Sequence, residues 1–431
     1  MLERLIGSEL AARSKELCSH LEPIARKCDF ILRRSRHFSA PGFVLTLLQA
    51  TIRGKASFNQ LAMTLGDLEE KPLTKQALHK RMDRTATRFM FGTVAKALSL
   101  RWSDDGERGG MLAGFERVIV EDSSQRPLPA TNHEHFPAHG NGHGETAGAK
   151  FDLGFDLKTG EPVEATLHLA TTQDREIGPD LVDEIRRGDL VLRDMGYFSA
   201  EEFARIENLD AFWLSRLPAT TGATDEQGRA LEDHLCASRG KRVEFQARLG
   251  KDGHAARLVA VRAETHVAER RRRERREEAR KQGRTPSKDT LMRDGWHIMV
   301  TNISEEKMDS AILFKLYAQR WQIEIVFRAW KQSGRADAAL KRRSNPFHLE
   351  CLMLASLLHL ILTMKVAGLV AAGVSDLVAS IEKLADSLAS HILKITHLSE
   401  LPEWSPDPRH LALDRRNTRS SLAQSRATRL G

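Results

Sequence analysis

Apolar residues recur at spacings of three and four from the first residues to about residue 105, and no alternating run exceeds a few residues. That period predicts an all-helical N-terminal segment. Within it, Ser57–Leu65 (SFNQLAMTL) and Thr74–Met82 (TKQALHKRM) are short amphipathic stretches, each opening on a hydroxyl residue able to cap a helix. The second carries Lys75, His79, Lys80 and Arg81. The pair fits a helix-turn-helix with a basic second member, and it equally fits an ordinary helical hairpin.

At Phe115 the period changes. Arg117–Val120 predicts a strand that runs into Glu121 and Asp122. Phe151–Leu157 and Val163–Ala170 alternate around Lys158-Thr159-Gly160, the pattern of a hairpin, with Asp152 and Asp156 on its polar face. Leu190–Leu192 predicts a strand ending at Asp194, followed by a helix over Ser199–Ile206 and a strand over Ala211–Leu214. Strands joined by helix predict a mixed α/β core. Between Pro218 and Ile303 the order breaks: Val243–Leu249, Arg257–Ala263 and Trp296–Val300 predict strands, with an arginine-rich helix running to Gly283. This reads as an insertion within the core. Helix returns over Ser310–Lys331 and from about Pro346 to Leu398.

The expected segments are therefore a helical domain at 1–110, the first part of the core at 111–217 and the insertion at 218–305. The end of the core with C-terminal helices follows at 306–400, and a basic, disordered tail at 401–431. The most apolar stretch, Cys351–Val374, contains Ser356, His359 and Lys365, which favours a buried helix over a membrane span.

Composition narrows the class. With 41% hydrophobic residues in 431, the chain can build sizeable cores, and wholesale disorder is excluded. Cys18, Cys28, Cys236 and Cys351 are too scattered for a zinc site or a disulfide framework, which points to a reducing compartment. Met1–Leu10 carries charges and no long apolar run, so no secretory signal is expected. Of the formal charge of +8, Glu269–Arg284 carries +5 and Ser405–Gly431 carries +4, leaving the remainder near −1. Basic charge so concentrated suits a polyanion such as nucleic acid, or a solvated helix held by Glu–Arg pairs at i,i+4.

The segment Tyr317-Ala-Gln-Arg320-Trp-Gln-Ile-Glu324-Ile-Val-Phe-Arg-Ala-Trp-Lys331 carries the most chemistry. On one continuous helix, positions 317, 324 and 331 drift only about 20° per heptad, with Arg320 beside them. Ile323, Val326, Phe327 and Trp330 then form an adjacent apolar arc facing a core. A carboxylate among cations is usually a surface ion pair. Asp122 and Asp194, each at the C-terminal end of a predicted strand, change that reading, because strand ends of α/β sheets are where ligands bind. Three carboxylates from two strands and a helix repel one another unless divalent cations lie between them, and Mg²⁺ suits oxygen ligands. Two such ions can serve phosphoryl transfer.

The run Y-x2-R-x3-E-x6-K resembles the signature of bacterial insertion-sequence transposases of the DDE class, insertion-sequence-4 family. The resemblance covers about residues 115–365. It includes Val120-Glu121-Asp122-Ser123-Ser124, Arg193-Asp194-Met195-Gly196-Tyr197-Phe198, the arginine run with Gly283–Ser287, and Trp296–Asn302. It implies an RNase H-like catalytic core with a β-rich insertion, between an all-helical N-terminal domain and C-terminal helices. It makes Asp122, Asp194 and Glu324 the catalytic, metal-binding triad, holding two Mg²⁺ ions that Mn²⁺ can replace. Tyr317, Arg320 and Lys331 would hold phosphates near the cleaved end, Trp296 would stack on a flipped base or else sit in the core, and Arg216 would touch the DNA backbone or else be solvent-exposed.

The implied function is cut-and-paste transposition through a DNA hairpin, with terminal inverted repeats and target DNA as partners. A homodimer would form the synaptic complex. The expected location is the bacterial cytoplasm, at the nucleoid, with no membrane. The alternatives are a catalytically silent DNA-binding descendant of a transposase and a metal-dependent nuclease without strand transfer. His133, His135, His139 and His143 fall in a Gly-rich loop without regular ligand spacing, and Ser123 and Ser124 lack a matching His/Asp set, so neither group predicts a site.

Overall fold

The computed structural model describes residues 2–32, 38–100, 102, 111–140, 144–333, 336–341, 344–373, 380–404 and 411. They form two compact units, each assembled from separated stretches of chain: 1–110, 122–172 and 321–431 in the first, 111–121 and 173–320 in the second. The described strands are β1 Val118–Leu128, β2 Pro137–Ala138, β3 Thr146–Asp156, β4 Pro162–Leu169, β5 Leu190–Arg193, β6 Phe212–Arg216, β7 Ala223–Asp225, β8 Arg242–Leu249, β9 His254–Arg262 and β10 Trp296–Thr301. The chain is thus mixed α/β.

In the second unit, Val118–Val120 of β1 pair in parallel with Leu190–Leu192 of β5, and β5 pairs in parallel with β6. These strands are continuous apolar runs because both faces are covered. Parallel neighbours need a crossover, and the helix Ala200–Asn208 supplies it between β5 and β6. Its Phe203 ring stacks on Trp213 of β6, centroids 3.9 Å apart. From β6 onward the pairing is antiparallel, in the order β6, β10, β9, β8, β7. The strands of 218–301 therefore continue the same sheet.

The first unit contains five N-terminal helices from Leu2 to Ser99, strands β2 to β4 beside the Asp122–Leu128 part of β1, and the helices after Trp321. Sequence chemistry fixes several helix starts. Ser57 and Gln60 form a reciprocal capping box, and Thr74 caps Lys75–Arg81 through the Ala77 amide. Pro346–Val370 is long and apolar enough to cross a membrane, yet its most apolar window is 94% buried within the protein.

Three expectations need correction. The Ser310–Lys331 helix is broken: Ser310–Tyr317 and Gln322–Ser333 are separate α-helices joined by a 3-10 turn at Ala318–Trp321. Tyr317 and Glu324 therefore do not share one helical stripe, since the turn breaks the 100° phasing between them. Helix is likewise not continuous from Pro346 to Leu398, because a new helix, Ile381–Ile392, starts at the Ser380 cap. Asp152 and Asp156 are buried, not on a polar face. Asp156 accepts hydrogen bonds from the Lys158 and Thr159 amides and the Thr159 hydroxyl, and so builds the hairpin turn from inside. The 401–431 tail lies outside the described residues except for 401–404 and Leu411, and His143 lies outside them too.

Candidate active site

Asp194 directly follows β5 and is half-buried. Its Oδ1 accepts a hydrogen bond from the Tyr317 hydroxyl at 3.2 Å, and that hydroxyl lies equally 3.2 Å from the Arg193 carbonyl. Tyr317 ends the Ser310–Tyr317 helix and is only 8% exposed. Burial, and then the Asp194 charge, raise its phenol pKa well above the usual range.

Beneath Asp194 lies an ion triplet that the sequence pattern did not reveal. Arg193 is 1% exposed, and its guanidinium contacts Glu121 of β1 and Glu202 of the Ala200–Asn208 helix. It also donates to the Gly178 carbonyl at 2.6 Å. Burial works against its charge, but the two carboxylates outweigh burial and lift its pKa above the ordinary value. Position 178 must be glycine for this packing: a Cβ there would come within 2.5 Å of Glu202 Oε2. The available signal was a charged residue at the end of each apolar run, Glu121 before Asp122 and Arg193 before Asp194.

Also in the second unit, an open groove of about 620 Å³ is lined by Met195, Arg216, Arg271, Arg293 and Trp296 among others. Arg216 ends β6, is half-buried, and forms no ion pair among the described residues. Trp296 begins β10 at 4% exposure, with the Arg262 guanidinium 4.4 Å from its ring centre. Burial, then Arg271 and Arg216, lower the His297 pKa, and Arg271 donates to its Nδ1 at 3.2 Å. The helix Thr265–Lys281 docks through its own arginines. Arg271 donates to the Trp296 carbonyl, Arg272 to the Leu291 carbonyl, and Arg275 to both Asp294 oxygens. Arg270, Arg273, Arg276, Arg280 and Lys281 remain exposed.

In the first unit, Asp122 is half-buried in β1, and Glu324 lies in the first turn of Gln322–Ser333. That helix buries Ile323, Val326, Phe327 and Trp330 as expected. It also buries Ile325 and Ala329 against Ile381 and Ala385. Glu324, Arg328 and Lys331 share its exposed stripe. Burial and Arg126 lower the Lys331 pKa. Arg320 is half-buried in the 3-10 turn.

Residues 113–360 match the family model of the transposase DDE domain. The chain belongs to the DDE transposases. It is 28% identical over 360 residues to the transposase of insertion sequence element IS231B from Bacillus thuringiensis subsp. berliner, covering 76% of this chain and 74% of that one. To the IS1151 transposase of Clostridium perfringens it is 23% identical, covering 80% and 77%. A chain of the piggyBac transposase synaptic complex with hairpin DNA superposes at TM-score 0.47 and 9% identity, covering 95% of this chain and 83% of that one.

This transposase is thus an insertion-sequence enzyme that acts on DNA. DDE domains use divalent metal ions, and the donor set expected here suits them: three carboxylates, with no nitrogen or sulfur donor. Asp122 and Glu324 belong to one unit and Asp194 to the other. Among the described residues, no three His, Cys, Asp or Glu side chains are gathered as a metal cage. The histidine loop adds none: His133 pairs instead with Glu145 at 2.7 Å.

Proposed function

We propose that this transposase moves its element by cut-and-paste, with Asp122, Asp194 and Glu324 as ligands of two Mg²⁺ ions that Mn²⁺ can replace. The observation that carries this reading is the parallel register of β1 and β5. Val120 pairs with Leu192, and the two aspartates follow that pair at the same offset. Asp122, Asp194 and Glu324 would hold the divalent ions, whose chemistry would be activation of a water or 3′-hydroxyl and stabilisation of the leaving oxygen in phosphoryl transfer.

The other roles follow from side-chain chemistry. Arg320, Lys331 and Arg216 hold backbone phosphates of the transposon end, as cations suited to that charge. Trp296, in the groove with Arg216, stacks on an unstacked base while the second strand is cut through a hairpin. Segments 111–217 and 306–400 form an RNase H-like core, and 218–305 is its insertion. Residues 1–110 bind the terminal inverted repeats, a homodimer brings two ends together, and the enzyme works at the nucleoid in the cytoplasm.

The test uses the DNA flanking the gene. Both ends are incubated with the protein and Mg²⁺ or Mn²⁺, alongside Asp122→Ala. Metal-dependent cutting at the repeat boundary and joining to target DNA, both lost in the variant, are expected. Specific binding without cutting would point to a silent DNA-binding descendant, and cutting without joining to a nuclease.

A further inference from the structure

We propose that Tyr317 is a positioning residue for Asp194. The inference rests on Asp194 being a metal ligand, as proposed above. A phenol has one hydrogen to donate. Here that hydrogen has two acceptors at 3.2 Å, Asp194 Oδ1 and the Arg193 carbonyl, so in the protein alone the hydroxyl is directed at the end of β5. The ring is buried, and the hydroxyl approaches Asp194 from the end of a helix packed in the same unit. Among the described residues no cation forms an ion pair with Asp194, so the tyrosine is its main polar restraint. With Oδ1 held by the hydroxyl, the carboxylate rotamer is fixed and Oδ2 is left for a metal ion.

The backbone beneath is held as firmly. Arg193, whose carbonyl shares the tyrosine hydroxyl, is clamped by Glu121, Glu202 and Gly178. A carboxylate ligand whose backbone and rotamer are both preset loses less freedom when it binds an ion. Removal of such outer hydrogen bonds costs metal sites about 10- to 100-fold in affinity or activity.

The experiment compares full-length wild type, Tyr317→Phe and Asp194→Ala. It measures end-DNA affinity in EDTA, Mn²⁺ binding by calorimetry, and end cleavage across a Mg²⁺ titration. For Tyr317→Phe the half-maximal Mg²⁺ concentration and the Mn²⁺ dissociation constant are expected to rise about 10- to 100-fold. DNA affinity in EDTA is expected to stay within about twofold, since a removed donor changes no phosphate charge pairing. A loss of DNA affinity with an unchanged metal titration would make Tyr317 a phosphate contact and overturn the proposal, as would a variant indistinguishable from wild type. If Tyr317→Phe melts lower, the Mn²⁺ titration is run at a temperature where both proteins are folded, with the same two outcomes. Asp194→Ala separates the readings. If it keeps metal binding and cleavage, the metal-ligand assignment itself fails. If it loses them while Tyr317→Phe behaves as wild type, only the positioning role fails.

Discussion

The guanidinium of Arg126 lies 4.6 Å from the centre of the Trp330 ring, on which it stacks. Arg126 is in the strand of Asp122, and Trp330 is in the helix of Glu324, all within one unit. Trp330 is 2% exposed, meets the edge of Phe151 at 4.8 Å, and donates its indole N–H to the Ser356 carbonyl. Arg126 also pairs with Asp337 at 2.5 Å. This contact fastens the strand to the helix. Trp330→Ala should destabilise that unit by about 3–5 kcal/mol through lost packing. Arg126→Ala should cost about 1–3 kcal/mol, because its partner Asp337 is 55% exposed and is not left buried alone. Urea titration followed by a probe in the first unit measures both; a larger cost for Arg126→Ala than for Trp330→Ala would contradict the ordering.

Lys365 is fully buried in the apolar Pro346–Gly373 helix, and its ammonium lies 2.8 Å from Glu161 Oε2. It also donates to the Leu98 and Leu100 carbonyls. Glu161 turns its other oxygen to the Trp102 amide. Breaking a buried pair leaves one charge uncompensated, at a cost of about 3–5 kcal/mol. Glu161→Gln should fall in that range, while Lys365→Met with Glu161→Gln should cost less than Glu161→Gln alone. A double-mutant cycle on denaturation midpoints checks the sign.

Sequence alone made the strand ends legible and left the side-chain networks obscure. Apolar runs at 118–120 and 190–192 stop at charged residues, so the positions of Asp122 and Asp194 could be placed. β1 nevertheless continues to Leu128, and of its inward positions there Ser124 and Arg126 are polar and only Leu128 is apolar, so no hydrophobic pattern marks them. The turn at Ala318–Trp321 was illegible because it contains neither Gly nor Pro, and the 317–324–331 heptad looks continuous. The arginine run concealed a division of labour. Arg271, Arg272 and Arg275 share one face of the helix, but their partners Asp294, Leu291 and Trp296 lie some twenty residues downstream. A charge count cannot say which arginines turn inward.

His359 carries a pH dependence. It is buried in the same long helix, neither ring nitrogen has a hydrogen-bond partner among the described residues, and burial lowers its pKa from 6.5 to about 4. Above pH 6.5 both folded and unfolded states are neutral there, and its contribution is fully present. Between 6.5 and 4 the unfolded chain binds a proton that the folded chain does not, so stability falls as pH falls, by up to about 1.4 kcal/mol per unit. From pH 7 to pH 5 the wild type should lose about 2 kcal/mol more than His359→Leu. Equal losses in the two proteins would remove His359 as the cause.

Glu324→Gln keeps the side chain's size and removes its charge. Glu324 is on the exposed stripe of its helix, outside the packed face, so the fold should be unaffected to within about 0.5 kcal/mol. End cleavage should fall below detection while binding to the end sequence is retained, since a neutral amide is a poor ligand for Mg²⁺. Gel-shift and cleavage assays on the same DNA decide it. A variant that still cuts would remove Glu324 from the triad.

Trp296 separates two steps of the proposed reaction. Its ring already bears Arg262 on one side and borders the groove that contains Arg216. Base–aromatic stacking is worth about 1–3 kcal/mol, which corresponds to a factor of about 5 to 150. Trp296→Ala should slow hairpin formation by a factor in that range and leave first-strand nicking near the wild-type rate. Because Trp296 is buried beneath Arg262, Trp296→Phe serves as the control: it keeps an aromatic face and should recover most of the hairpin rate. Time courses that resolve the nick from the hairpin on one labelled end give both rates. If nicking and hairpin formation slow equally in Trp296→Ala, its role is to hold β10 in the sheet, and the stacking partner of the extruded base must be sought among the other residues of the groove.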